Sequence, residues 1–273
     1  MSHISDPAYL QTTQYKTSAN LSARIELHRR FRTNPYGWHK WVFDQLNLQP
    51  GIQALEVGGG PGELWRENAA RLPANMAVCV SDFSPGMAAE ARGALGADAR
   101  FTFVSADVQA IPFPTDTFDI VLANHMLYHV ADIARGVREL ARVLKPGGRV
   151  SAATNGLNHM LELHELVAEF DPENASTMTT NLFARRFGLE NAPEILGRAL
   201  ARVETRNYDD ALWVTDPQAL TDYVWSLSGS GRFGNLDGTR AEAFTTFVRA
   251  KIETAGGVRI RKEASLALGY KEN

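Results

Sequence analysis

The chain has 273 residues, 44% of them hydrophobic and 22% charged, the balance of an ordinary globular fold large enough for one sizeable core. Its 28 Lys and Arg against 31 Asp and Glu leave a net charge of −3, so no diffuse basic field draws it to nucleic acid. The N-terminus is polar and no apolar run approaches the ~18 residues of a membrane span, which points to a cytoplasmic protein without a membrane partner.

Taken in chain order, residues 1–35 are polar and turn-rich, and Pro35 to Asn47 forms an amphipathic helix carrying Trp38, Trp41, Val42 and Leu46. Ile52–Val57 reads as a first strand and Pro61–Leu72 as a helix, with Pro61 suited to a helix start. Met76–Ser81 is a second strand, and Ser84-Pro85 then reads as an N-cap followed by proline at the first helical position. Cys79, the only cysteine, sits mid-strand as a small buried hydrophobe and excludes an intrachain disulfide or a multi-cysteine metal site. Phe101–Ser105 and Phe118–Ala123 are strands three and four. Ile133–Leu144 has apolar residues at helical spacing and stops at Lys145-Pro146-Gly147-Gly148, before a fifth strand at Arg149–Thr154. Strands separated by helices imply a parallel sheet covered on both faces, a doubly wound α/β fold.

About 45 residues of helical pattern follow before the next strand-like run, near Arg202–Val214. That exceeds an ordinary connection and suggests a cap. The tail Gly257–Tyr270 alternates as a last strand. With no linker in view, residues 1–273 read as one domain: an N-terminal lid and helix (1–48), a ligand-binding core (49–155), a helical cap insertion (156–201) and C-terminal strands and helices (202–273).

The strongest chemical signal is Leu55-Glu56-Val57-Gly58-Gly59-Gly60-Pro61-Gly62, at the join of strand one and its helix. Glycines there let the backbone turn sharply and come close to a ligand. A dinucleotide fingerprint starting at Gly58 needs glycine at position 63, where Glu63 stands, so an NAD-dependent oxidoreductase is disfavoured. A phosphate-binding Walker loop needs Gly-Lys-Ser/Thr, which is absent. What fits is acidic-x-Gly-x-Gly-x-Gly, led by Glu56. Two more acids follow in order, each at a strand's carboxyl end, where open α/β sheets bind ligands. Asp82 can accept from two ribose hydroxyls, and Asp107 from an exocyclic amine.

On these residues the chain resembles the class I S-adenosylmethionine (SAM)-dependent methyltransferases of small molecules, in their ubiquinone-biosynthesis-like branch. The likeness rests on Ala54–Gly62, on Val80–Met87, on Ala106-Asp107-Val108 with Ile111-Pro112-Phe113, on Phe118 through Val130, and on Leu144–Gly148. It implies a doubly wound, mostly parallel seven-stranded sheet whose last strand is antiparallel, with helical lid and cap insertions. It implies SAM as cofactor and S-adenosylhomocysteine (SAH) as product. By position it places Gly58, Gly59 and Gly60 at the methionine amine, Asp82 on the ribose, and Ala106, Asp107 and Val108 at the adenine. Phe83 and Met87 flank that base, and Asn124 lines the methyl-donor side. It also likens the Tyr15–Arg24 segment to a lid whose tyrosine covers the cofactor and whose arginine meets its carboxylate. The alternative is a SAM- or SAH-binding regulator or scaffold that transfers no methyl group.

A sulfonium methyl is already electrophilic, so such enzymes need alignment and water exclusion more than a fixed catalytic group. Tyr128 and His129, just past strand four, are the catalytic candidates, with Tyr128 preferred because related enzymes place an active-site group there. His125 and His129 are four apart, yet no third ligand is in view and no metal is expected. Asn124-His125-Met126-Leu127 departs from the Asp/Asn-Pro-Pro-Tyr/Trp of nucleic-acid amino-methyltransferases, so the expected partner is a small-molecule substrate and not nucleic acid. Nothing in the sequence specifies an oligomeric state.

Overall fold

The computed structural model describes residues 5–16, 19–174, 182–228 and 238–273. Five parallel strands form most of the sheet: β1 (Gln53–Val57), β2 (Ala77–Asp82), β3 (Phe101–Ser105), β4 (Phe118–Asn124) and β5 (Leu144–Asn155). β6 (Arg202–Tyr208) stands at the edge, and β9 (Ala264–Tyr270) lies between β5 and β6, antiparallel to both. The order β3-β2-β1-β4-β5-β9-β6 is the expected seven-stranded sheet with its last strand reversed.

Period-2 alternation distributes the strands' apolar residues to two faces. Leu55, Val57, Cys79, Val121 and Ala123 pack with Val137 and Leu140 of α5 (Ile133–Val143). Ala54, Val78, Val80, Ile120 and Leu122 turn the other way, against Trp65, Val42 and Leu95. These last come from α3 (Glu63–Asn68), α2 (Trp38–Gln45) and α4 (Pro85–Leu95). Cys79 is a buried free thiol, as its place in an apolar run implied.

Several boundaries differ from the sequence expectation, each for a local reason. The helix after the glycine loop begins at Glu63 and not at Pro61, because Gly62 holds the N-cap in a left-handed conformation (φ 82°), and the helix tightens to a 3-10 turn at Ala69–Arg71. The aromatic helix begins only at Trp38, after a turn at Pro35-Tyr36. Lys145–Gly148 does not stop the chain: backbone from Leu144 on is already extended, and the pairing with β4 skips from Phe118↔Leu144 to Ile120↔Arg149 across this bulge.

The single strand expected near Arg202–Val214 is two. The chain leaves β6 at Tyr208, and β7 (Ala211–Val214) pairs instead with β8 (Val258–Arg261) in a separate two-stranded sheet. Asp210 makes the switch: its carboxylate accepts from the backbone N–H groups of Asn34 and Ala211 at 2.9 Å, and from Lys262 Nζ at 2.5 Å. Lys262 likewise breaks the expected tail strand into β8 and β9.

The cap is not one insertion. Its core joins Leu27 of α1 (Ala19–Phe31), Leu163 and Val167 of α6 (Leu161–Phe170), and Leu212 of β7. Leu220 and Val224 of α9 (Pro217–Ser228), Phe244 of α10 (Gly238–Ala255) and Ile260 of β8 complete it. The later part of the expected insertion does other work: Phe187, Ala192, Leu196 and Leu200 pack on the sheet with α5, around α8 (Ala192–Gly197). Residues 175–181 of that insertion, and 229–237 of the C-terminal region, lie outside the described residues.

Candidate active site

The parallel strands deliver their carboxyl ends to a cavity of about 710 Å³, roofed by the N-terminal segment and walled by the cap. All of the site residues expected from the sequence line it. Gly58 and Gly60 have positive φ (65° and 54°). At Gly58 a β-carbon would come within 2.7 Å of the Met126 side chain, whereas at Gly60 it would meet nothing within 4 Å, so this turn of the loop faces open space.

The acids are held in place by the backbone they follow. Asp82 accepts from Gly60 N–H at 2.9 Å and from Ser84 N–H at 2.8 Å, and burial pushes its carboxyl pKa up against those two bonds. A carboxylate offers about four acceptor positions, so capacity for a ligand remains. Asp107 caps the short turn that follows, accepting from Gln109 N–H at 2.8 Å and from the Gln109 side-chain amide at 3.1 Å. Ala106 donates its N–H to the Asp82 carbonyl, tying the ends of β2 and β3 together. Met87 is 1% exposed, so it serves the core as well as the cavity wall.

Glu56 does not present free oxygens. It accepts from Trp65 Nε1 at 2.6 Å and from Asn124 Nδ2 at 2.9 Å, and its main contribution is to orient Asn124. Asn124 in turn leaves its buried Oδ1 with no partner among the described residues. A donor at that point, such as an ammonium, would satisfy it.

The N-terminal segment crosses the cavity as a strap. Gln11 donates to the Phe83 carbonyl at 2.9 Å, and a β-carbon at Gly86 would run into the Lys16 carbonyl oxygen. At the far side Tyr15 Oη is 2.9 Å from His129 Nε2, and the Arg24 guanidinium lies 5.9 Å from the Tyr15 ring centroid. Tyr128 and His129 are in edge contact, and Phe183 of α7 (Leu182–Arg186) sits within 5.2 Å of both rings. Arg186 fastens this loop, donating to the Tyr128 carbonyl at 2.9 Å and the Val130 carbonyl at 2.5 Å. His125 also lines the cavity but packs against Trp38, and enclosure lowers its pKa to about 4. Among the described residues no three His, Cys, Asp or Glu side chains converge as metal ligands.

Sequence reasoning missed the far wall, which His28, Trp38, Asn155, His159, Tyr223 and Lys262 provide. These come from four separate parts of the chain. The one local signal was the Arg24–His28 spacing, which puts both side chains on one face of α1.

Comparison with known proteins agrees with this geometry. Residues 55–152 match a methyltransferase-domain family model. A ubiquinone/menaquinone biosynthesis C-methyltransferase of Geobacter sulfurreducens is 37% identical over 124 residues, covering 44% of this chain and 46% of that protein. A demethylmenaquinone methyltransferase of Mycolicibacterium gilvum is 32% identical over 186 residues, covering 64% of this chain and 76% of that protein. Several of the curated relatives are thus matched over about half their length. Among solved structures, a phosphoethanolamine N-methyltransferase of Haemonchus contortus in complex with SAM superposes with a TM-score of 0.60 at 20% identity, covering 99% of this chain and 60% of that one. That likeness is one of fold.

Proposed function

We propose, from the premise that the chain belongs to the class I SAM-dependent methyltransferase family, that it moves a methyl group from SAM to an O, N or C nucleophile of a small molecule. The observation that carries this is the convergence of Gly60, Asp82 and Asn124 from three strand ends onto one cavity. The open face at Gly60 admits the methionine end, and Asn124 Oδ1 suits its ammonium. Asp82 accepts from the ribose hydroxyls, while Asp107, with Val108 beside it, meets the adenine between Phe83 and Met87.

When bound, SAM supplies a methyl group already activated by a sulfonium. The chain's own residues then bind, orient and exclude water. Tyr15 closes the mouth through His129, and Arg24 gives the methionine carboxylate a charge-assisted partner. Tyr128, held between His129 and Phe183, orients the nucleophile. Relatives named for methyl transfer favour turnover over a scaffold that only binds.

The test is calorimetry with SAH, SAM and NADH, followed by SAH formation across a substrate panel. SAH and SAM should bind and NADH should not. Tight NADH binding with none for SAH would overturn the reading.

A further inference from the structure

At the end of β5 the cavity continues into a compartment lined by residues other than those assigned above to the cofactor. Asn155 floors it, and its walls are His28 of α1, His159 after β5, Tyr223 of α9 and Lys262 before β9. We infer that this compartment binds the non-reacting end of the substrate, and that this end is an anion, a carboxylate or a phosphate. The inference rests on the methyltransferase reading above.

The donors are there and the local carboxylates are spent. His28 and His159 rings lie 6.2 Å apart, and Tyr223 meets His28 edge-on at 5.9 Å. Nδ1 of His28 is buried with no partner among the described residues, the kind of polar atom a ligand is expected to satisfy. The Glu263 N–H donates to His159 Nδ1 at 3.2 Å, so the neutral His159 ring carries its proton on Nε2 and is a donor there. Lys262 keeps only 8% of its side chain exposed and has three N–H groups, of which its bond to Asp210 uses one.

Among the described residues two carboxylates stand behind this wall, Asp210, held by Thr33, Asn34, Ala211 and Lys262, and Glu263, held by the backbone N–H and side-chain amide of Asn158. Rim acids are likewise paired, Glu26 with Arg29, Glu63 with Arg66 and Glu67 with His39. Arg32 also lines the cavity and adds a positive charge to this end, Arg24 being assigned to the cofactor. A neutral substrate would leave that field unanswered.

Proton linkage makes the idea measurable. His28 is enclosed, and burial together with Lys262, His125 and Arg24 holds its pKa well below the ordinary histidine value, with His159 and Tyr223 packed beside it. An arriving anion reverses that balance and draws a proton onto the ring, so binding should tighten as pH falls.

The experiment titrates the SAH-loaded full chain with benzoate, inorganic phosphate and neutral benzamide, at pH 8 and pH 6, by calorimetry and by histidine side-chain NMR. Benzoate, a monoanion throughout, should bind up to about tenfold more tightly for each pH unit lowered within the linked range, with the His28 resonance moving toward imidazolium. Phosphate, which itself gains a proton between pH 8 and pH 6, is compared with benzoate at fixed pH. Which of the two binds separates a carboxylate from a phosphate end. His28→Phe keeps the ring and should abolish the pH dependence with SAH affinity intact. Equal binding of benzamide and benzoate, anion binding indifferent to pH and to His28→Phe, or no anion binding to SAH-loaded protein would each overturn the inference. Failure of SAH itself to bind would count against the methyltransferase reading instead, and the same titration on the unloaded chain would still test the compartment.

Discussion

Glu56 is 2% exposed, and its two oxygens face two donors, Trp65 Nε1 and Asn124 Nδ2. Glu56→Gln places an NH₂ against one of them, so that either Trp65 Nε1 loses its acceptor or Asn124 must turn its amide over and give up its orientation toward the cavity, at a cost of roughly 1–3 kcal/mol in urea unfolding. Burial raises the Glu56 pKa, so the native state holds this proton to higher pH than the unfolded chain does. Its contribution is therefore full below the unfolded pKa and lost as pH rises through the folded one. The stability of the wild type relative to Glu56→Gln should fall across that window, and a flat difference would remove Glu56 as its source. Tyr128 offers a second test, of chemistry. Tyr128→Phe keeps the packing against His129 and Phe183 and removes only the hydroxyl. If that hydroxyl orients the nucleophile or relays its proton, turnover should drop ~10²-fold with SAM affinity unchanged. Near-normal turnover would reduce Tyr128 to a wall.

At the scale of elements, the N-terminus divides in two. Removing residues 1–16 takes away the strap, with Gln11 and Tyr15, and should leave a folded protein with weaker SAH binding. Removing residues 1–30 also takes Leu27, 1% exposed in the cap core, along with most of α1, which packs on α9. That larger deletion should lower the melting temperature and expose cap surface to a hydrophobic dye. Equal SAH affinity in the full chain and the shorter truncation would show the strap to be an ordinary tail. The strands of the core were legible because β1, β2 and β4 are buried on both faces and appear as short apolar runs, broken only by Glu56 in β1 and Asp119 near the start of β4. The helix start at Glu63 was not, since proline at 61 has the right φ for a helix while the left-handed Gly62 beside it forbids one. Nor did alternation over Gly257–Tyr270 reveal the break at Lys262, whose charge is buried by a partner 52 residues away.

For the whole molecule, the strand-end side of the cavity was readable because its residues sit at the ends of consecutive strands, each announced by a local motif. The far wall was not, because His28, Asn155, Tyr223 and Lys262 meet only after four distant stretches assemble. Asp210 is where that assembly is fastened, joining the end of α1, the β6–β7 switch and the β8–β9 break. Asp210→Asn keeps the shape but leaves Lys262 as an uncompensated buried charge, which typically costs ~3–5 kcal/mol. Urea unfolding should show that loss, and an unchanged midpoint would assign the fastening elsewhere.

The strap has a kinetic consequence. It is pinned at Phe83 on one side of the cavity and at His129 on the other. If the strap closes over bound cofactor, as proposed above, departure of spent cofactor requires the Tyr15–His129 bond to open. Turnover in such an arrangement is paced by a hinge and not by the methyl group: a fast first cycle followed by a slower steady rate, with Tyr15→Phe accelerating the second and sparing the first.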